Sequence, residues 1–104
     1  MFFNNFKNNT GTLLIQYGNY GVTGNVAGGK SATRTIPLNI NYTNTYFIPM
    51  AIHRDGNQIN VSISGEDNGT ILRYTNSFKV RLRNVNAETK ADIQGVFWFT
   101  IGKA

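Results

Sequence analysis

The residues of this 104-residue chain that are best suited to catalysis are its single histidine, His53, and the nearby Asp55. A catalytic hypothesis would pair them and use Ser62 or Ser64 as the nucleophile. The residues at 55–57, however, form a strong turn signal, Asp-Gly-Asn, between two strand-like segments. No nucleophile elbow or oxyanion loop accompanies them. The sequence therefore predicts a hairpin corner that carries polar side chains, with no catalytic residue.

Metal and nucleotide chemistry also lack the residues that they need. The chain has no cysteine, and the adjacent pair Glu66 and Asp67 falls short of the six or more oxygen ligands that calcium usually takes. Residues 24–31, GNVAGGKS, match a phosphate-binding loop by letter. That motif requires a following helix, whereas the next residues are strand-like. We expect no enzymatic activity, no metal and no cofactor.

A row of cations has the spacing of a binding surface. Lys79, Arg81 and Arg83 alternate along one segment, which would place them about 7 Å apart on one face of a strand. Such a row could bind an acidic polysaccharide or phosphate-bearing polymer, bind single-stranded nucleic acid, contact another subunit, or face solvent and discourage edge-to-edge aggregation. A solvent face is the simplest interpretation. Because the net charge is only +5, a polyanionic glycan or an inter-subunit contact is favoured over a nucleic-acid partner.

Strands must position these groups, because helix signals are nearly absent. The 15 Asn and 11 Thr favour turns and strands over helix interiors. Polar and apolar residues alternate, or apolar residues run together, in the predicted strands 13–17, 35–41, 46–52, 58–64, 70–74, 78–83 and 96–101. The pattern predicts a single all-β antiparallel β-sandwich of six to seven strands, with a lead-in segment at 1–11 and the sandwich at 12–104. Pro37 indicates an edge strand or a bulge.

Consecutive aromatic residues predict assembly. Phe97, Trp98 and Phe99 must point alternately to two faces of a strand, so one face fills the core and the other needs cover. The natural cover is a symmetric copy, which predicts a homotrimer. The longest apolar run is a few residues, so we expect no membrane insertion. Residues 1–6 lack the basic and apolar regions of a signal peptide, and export would use another route such as lysis.

The order of motifs resembles the C-terminal tip domains of bacteriophage tail fibres. Residues 11–18, GTLLIQYG, resemble the opening GLIIQWG of those domains, and the ending GVFWFTIG at 95–102 resembles their closing FYWIAIG. Between these ends, TIPL at 35–38 with YTNTY at 42–46 resembles their T-V-x-F-P strand and turn, and TNSFKV at 75–80 resembles T-x-x-G-F-x-V. Tyr17, Ile36 and Ser77 stand where the family has Trp, Phe and Gly.

The resemblance implies a sandwich that trimerises at the distal end of a fibre and contacts host-surface polysaccharide or protein, with a fold like that of H-type lectins. The expected location is extracellular, in the tail fibre of a virion, with the remainder of the fibre as a further partner. Loop amides, hydroxyls and aromatic rings suit sugar binding. The candidate ligand-binding residues are Tyr20, Asn25, His53, Arg54, Asp55, Asn57 and Tyr74. The alternatives are a purely structural trimerisation or capping domain and a single-stranded nucleic-acid-binding module.

Overall fold

Alternating side chains build the strands of this protein as the sequence predicts. A computed structural model describes residues 2–7, 13–21, 24–54, 59–63, 70–86, 91–92 and 95–104, with the backbone alone for 2–7 and 91–92. Its strands are β1 (Phe2–Lys7), β2 (Leu13–Gly21), β3 (Asn25–Val26), β4 (Ser31–Pro37), β5 (Ile48–His53), β6 (Ile59–Ser62), β7 (Arg73–Tyr74), β8 (Ser77–Asn84), β9 (Ala91–Asp92) and β10 (Gly95–Lys103). The described residues contain no helix long and apolar enough to cross a membrane.

Two four-stranded antiparallel sheets form a β-sandwich. The first sheet has the order β1-β2-β10-β5, with β10 in register between β2 and β5. The second sheet has the path β4-β8-β6, and the short β7 also pairs with β8. A two-stranded ribbon of β3 and β9 lies at the end of the sandwich where β8 finishes, because Asn84 of β8 donates a side-chain hydrogen bond to the carbonyl of Val26.

The core lies between the two sheets. The second sheet contributes Phe78, Val80 and Leu82, which are all fully buried, and this confirms the alternation predicted at 78–83. The first sheet contributes Trp98, whose ring meets that of Phe78 edge to face at 6.2 Å between centroids. Each such large apolar side chain stabilises the fold by about 2–3 kcal/mol relative to an exposed one, so this contact anchors one sheet on the other.

The structure differs from the sequence expectations at two boundaries. The strand predicted at 35–41 begins earlier, at Ser31, and ends at Pro37, which cannot donate a hydrogen bond to a neighbouring strand. Ile40, predicted to point inward, is therefore outside the sheet and exposed. The glycine-rich composition of 18–29 predicts a loop, but in the structure β2 extends to Gly21 and β3 forms at Asn25–Val26. β4 is an edge strand, as Pro37 indicated.

A buried polar cluster ties the segment between β4 and β5 to the first sheet. The Tyr42 hydroxyl lies 2.6 Å from Thr100 Oγ1 and donates to the Leu14 carbonyl at 3.2 Å. The buried side-chain amide of Gln16 donates to the carbonyl of Ile40 and accepts from the amide of Ile40. This pair of bonds replaces the backbone pairing that a neighbouring strand would supply. The segment is therefore held by hydrogen bonds in the interior, where an unpaired polar group would be costly.

Replacing Tyr42 with phenylalanine is expected to destabilise the fold by about 1–2 kcal/mol, because Thr100 and Leu14 lose their partner. Burial also raises the pKa of the Tyr42 hydroxyl above its ordinary value near 10. Its contribution to stability is therefore complete below about pH 10 and is lost as the pH rises through the higher, folded pKa. Urea unfolding at pH 8 to 11 should show the difference between wild type and Tyr42→Phe shrinking at alkaline pH; a constant difference contradicts this.

Candidate binding faces of the sandwich

The outer face of the first sheet is apolar over three adjacent strands. We name as the apolar face the residues of β5, β10 and β2 that alternate with the core residues. Register aligns them in three rows, which are Ile48, Ile101 and Ile15, then Met50, Phe99 and Tyr17, then Ile52, Phe97 and Asn19. Eight of these nine side chains are apolar or aromatic. In the single chain Ile48 and Met50 are each 58% exposed and Ile52 is 64% exposed.

The patch is as large as the largest apolar patch that typical soluble monomers expose, and such patches are often functional. Three strands about 4.8 Å apart and six residues long give it a projected area of roughly 300 Å². A groove of about 230 Å³ crosses the patch, lined mainly by Met50, Ile52, Phe97 and Phe99. The face thus offers both apolar area and a recess that can receive side chains from another surface.

The outer face of the second sheet has the opposite character. We name as the cationic face the outward residues of β4, β8 and β6. Their register again gives cross-strand rows, which are Ser31, Arg83 and Asn60, then Thr33, Arg81 and Ser62, then Thr35 and Lys79. The cations occupy the central strand. Hydroxyl or amide side chains flank Arg81 and Arg83 on both sides, and Thr35 flanks Lys79 on one side. Strands β4, β6 and β8 contain no acidic residue.

Three of the predicted ligand-binding residues, Tyr20, His53 and Arg54, lie at one end of the first sheet. Tyr20 and His53 are the register partners of Val96 on either side, so their Cα atoms lie about 10 Å apart. Neither ring nitrogen of His53 has a hydrogen-bond partner among the described residues. Arg54 donates from its side chain to Asn19 Oδ1 at 3.3 Å and lies over Gly95, where an added Cβ would come within 2.8 Å of the guanidinium.

The other predicted residues are distributed elsewhere. Asn25 lies in β3 opposite Asp92, beside the same end of the sandwich. Tyr74 is opposite Ser77 at the start of β8, roughly 20 Å away along that strand. Asp55 and Asn57 lie outside the described residues. Tyr74 therefore belongs with the cationic face and not with Tyr20 and His53.

The phosphate-loop motif at 24–31 is not followed by the helix that such a motif uses. β4 follows the motif directly from Ser31, so no helix N-terminus is available to bind an anion. Among the residues that the structure describes, no three His, Cys, Asp or Glu side chains come together.

Comparison with known proteins identifies a fold. No family model matches the chain, and no curated protein matches it. Among solved structures, the chain is similar to the P. aeruginosa R1 pyocin fibre, in a structure comprising its C-terminal residues 323–701, with a TM-score of 0.63 and 14% sequence identity. The chain has a fibre-like fold. The match covers 92% of this chain but only 25% of the pyocin chain, so this protein spans about a quarter of that fibre fragment.

Sequence reasoning found only part of each face. It singled out Phe97 and Phe99, and it predicted a continuously apolar strand at 46–52 without singling out Ile48, Met50 and Ile52. It identified the cations of β8 but not the hydroxyl and amide residues that flank them. That flanking depends on the register of β4 and β6 against β8.

Proposed function

We propose that this chain is the receptor-binding tip of a tail fibre, assembled as a homotrimer and acting without catalysis. The observation that carries the proposal is an exposed apolar face on a fibre-like fold. The fibre role is supported by the similarity to a pyocin fibre fragment and by the tail-fibre tip motifs in the sequence. On this account the domain works outside the cell, at the distal end of a fibre in a virion or a related particle.

The apolar face is the proposed contact between subunits. Covering it removes eight apolar or aromatic side chains from water, and at about 25 cal/mol per Å² that burial is the main driving force available for assembly. In a closed symmetric oligomer every subunit buries the same surface, and the closed symmetry ends further growth. The trimeric state rests on the resemblance to fibre tips, and the face supplies the surface that such a trimer needs.

Recognition of the host would use reversible, multivalent binding. The polar surface suits a ligand rich in hydroxyl groups, because amide and hydroxyl side chains donate and accept the same kinds of hydrogen bond. Weak individual sites become effective when three of them act on one cell surface, and several fibres on one particle raise the avidity further.

A structural role is the second candidate, and the apolar face favours it equally. In that case the domain trimerises or caps the fibre while another module binds the host. An array of bacterial surface polysaccharides, both neutral and acidic, distinguishes the two when probed with the assembled protein. Binding to a subset of glycans supports the receptor-binding tip. An assembled protein that binds no glycan on the array and does not adsorb to bacterial cells contradicts receptor binding and favours the structural role.

A further inference from the structure

The two outer faces of the sandwich cannot have the same role. If the apolar face is buried between subunits, as the proposed function requires, the cationic face on the opposite sheet stays in solvent on every subunit. It is the other outer face built from regular strands. Strands hold side chains more rigidly than loops do. A ligand that meets the assembled protein from outside meets this face.

We propose that the cationic face binds an acidic polysaccharide. Lys79, Arg81 and Arg83 stand about 7 Å apart along β8, so an extended polymer lying along this strand passes all three cations. Burial restricts the motion of two of these side chains. Lys79 and Arg81 are half-buried between flanking strands, whereas Arg83 is exposed. Half-buried stems lose less conformational freedom when the charged ends bind an anion.

The residues beside the cations supply the sugar-binding chemistry. Thr33 and Ser62 flank Arg81, and Ser31 and Asn60 flank Arg83. Each row therefore combines one cation, which pairs with a carboxylate or phosphate of the polymer, and neutral groups, which can hydrogen-bond sugar hydroxyls. Tyr74, exposed at the Lys79 end of β8, offers a ring face for the apolar side of a sugar.

The same composition argues against single-stranded nucleic acid. Proteins that bind single strands combine a basic groove with several aromatic platforms on which successive bases stack. On the cationic face the side chains flanking Arg81 and Arg83 are hydroxyls and amides, and Tyr74 stands at one end only. Three spaced cations beside hydroxyl and amide groups fit a polymer with spaced charges and many hydroxyls.

Binding of the assembled protein to immobilised polygalacturonate tests this proposal, with neutral dextran and single-stranded oligo(dT) as comparison ligands. The double variant Arg81→Gln/Arg83→Gln should weaken polygalacturonate binding about tenfold, the equivalent of two exposed ion pairs. The control Lys7→Gln/Lys103→Gln removes two charges from β1 and β10 of the first sheet and should change binding less than about twofold, since it touches only the general field. Wild-type binding should also weaken as salt rises.

Each alternative result overturns the proposal. Equal losses in the two double variants would mean that net charge alone attracts the polymer. Tighter binding of oligo(dT) than of polygalacturonate would assign the face to nucleic acid. If the Arg81→Gln/Arg83→Gln variant still binds neutral glycans as the wild type does, the proposed receptor-binding function holds. Its binding site then lies outside the cationic face, and the present proposal is wrong. If the double variant fails to fold, the exposed single variant Arg83→Gln replaces it, with Lys103→Gln as its control; an unchanged affinity again overturns the proposal.

Discussion

Ile52→Lys is expected to convert the assembled protein into monomers. Ile52 is 64% exposed in the single chain, so the lysine is tolerated there, but assembly would bury its ammonium among Phe97 and Met50. A buried charge without a partner costs several kcal/mol, repeated in every subunit. Each 1.4 kcal/mol is tenfold in a dissociation constant, so we expect the affinity between subunits to fall by about a hundredfold or more. Light scattering during gel filtration measures the change.

Thr35→Lys is the matched control for this variant. Thr35 is an exposed β-branched residue on an edge strand, as Ile52 is, but it lies on the opposite outer face. The control adds the same charge and should leave the mass of the assembly unchanged. An Ile52→Lys protein that keeps the wild-type mass would contradict the assignment of the apolar face, because an ammonium would then sit in a contact that has no room for it.

Gly102→Ala is expected to be among the most destabilising single-methyl changes in the chain. Gly102 lies in β10 opposite Leu14, and a Cβ there would stand 2.5 Å from the Cβ of Phe47 and 2.9 Å from its Cα. The neighbour is partly backbone, and Phe47 is itself fixed by stacking on Tyr42 at 4.6 Å, so neither can move cheaply. Overpacking of this kind costs about 3 kcal/mol, the upper end of the usual range.

The same methyl group at Gly21 provides the comparison. Gly21 also lies in the first sheet, and an added Cβ there meets no atom within 4 Å. Gly21→Ala should therefore change the free energy of unfolding by less than about 0.5 kcal/mol. Urea unfolding of both variants at one protein concentration measures the difference, since assembly makes stability concentration-dependent. Equal changes in the free energy of unfolding at the two positions would contradict the inference that Gly102 packs too closely on Phe47 to accept a methyl group.

The strands that sequence predicts well are those whose pattern is local. In β8, polar and apolar residues alternate without a break, so its core face followed from the sequence, and Phe78 is fully buried as expected. The end of β4 at Pro37 was harder, because Leu38 and Ile40 continue the alternation while the backbone has already left the sheet. The alternation of residues does not show that the pairing of β4 with β8 ends at Pro37.

The two outer faces depended on information that a local pattern does not contain. In 46–52 and 96–101 both faces of the strand are apolar, so the sequence predicted that cover was needed but could not say which side fills the core. Only the pairing of β10 between β2 and β5 aligns Met50 with Phe99 and Tyr17. The partners of Arg81 on the cationic face follow in the same way from register between strands far apart in sequence.

The apolar and cationic faces together account for the composition of the chain. The chain has few charges and many Asn and Thr residues. Three of its ten cations lie on one strand, β8, and point to the outer face of the second sheet. We propose one role for each face, with assembly on the first sheet and polymer binding on the second. Assembly requires that the first sheet be covered by copies of the same chain.

The mass of the wild-type protein in solution tests that requirement most directly. Light scattering during gel filtration at micromolar concentration should give three times the chain mass of 11.6 kDa. A mass of 11.6 kDa under those conditions would contradict the account, because the apolar face would then remain in water and could not be the contact between subunits.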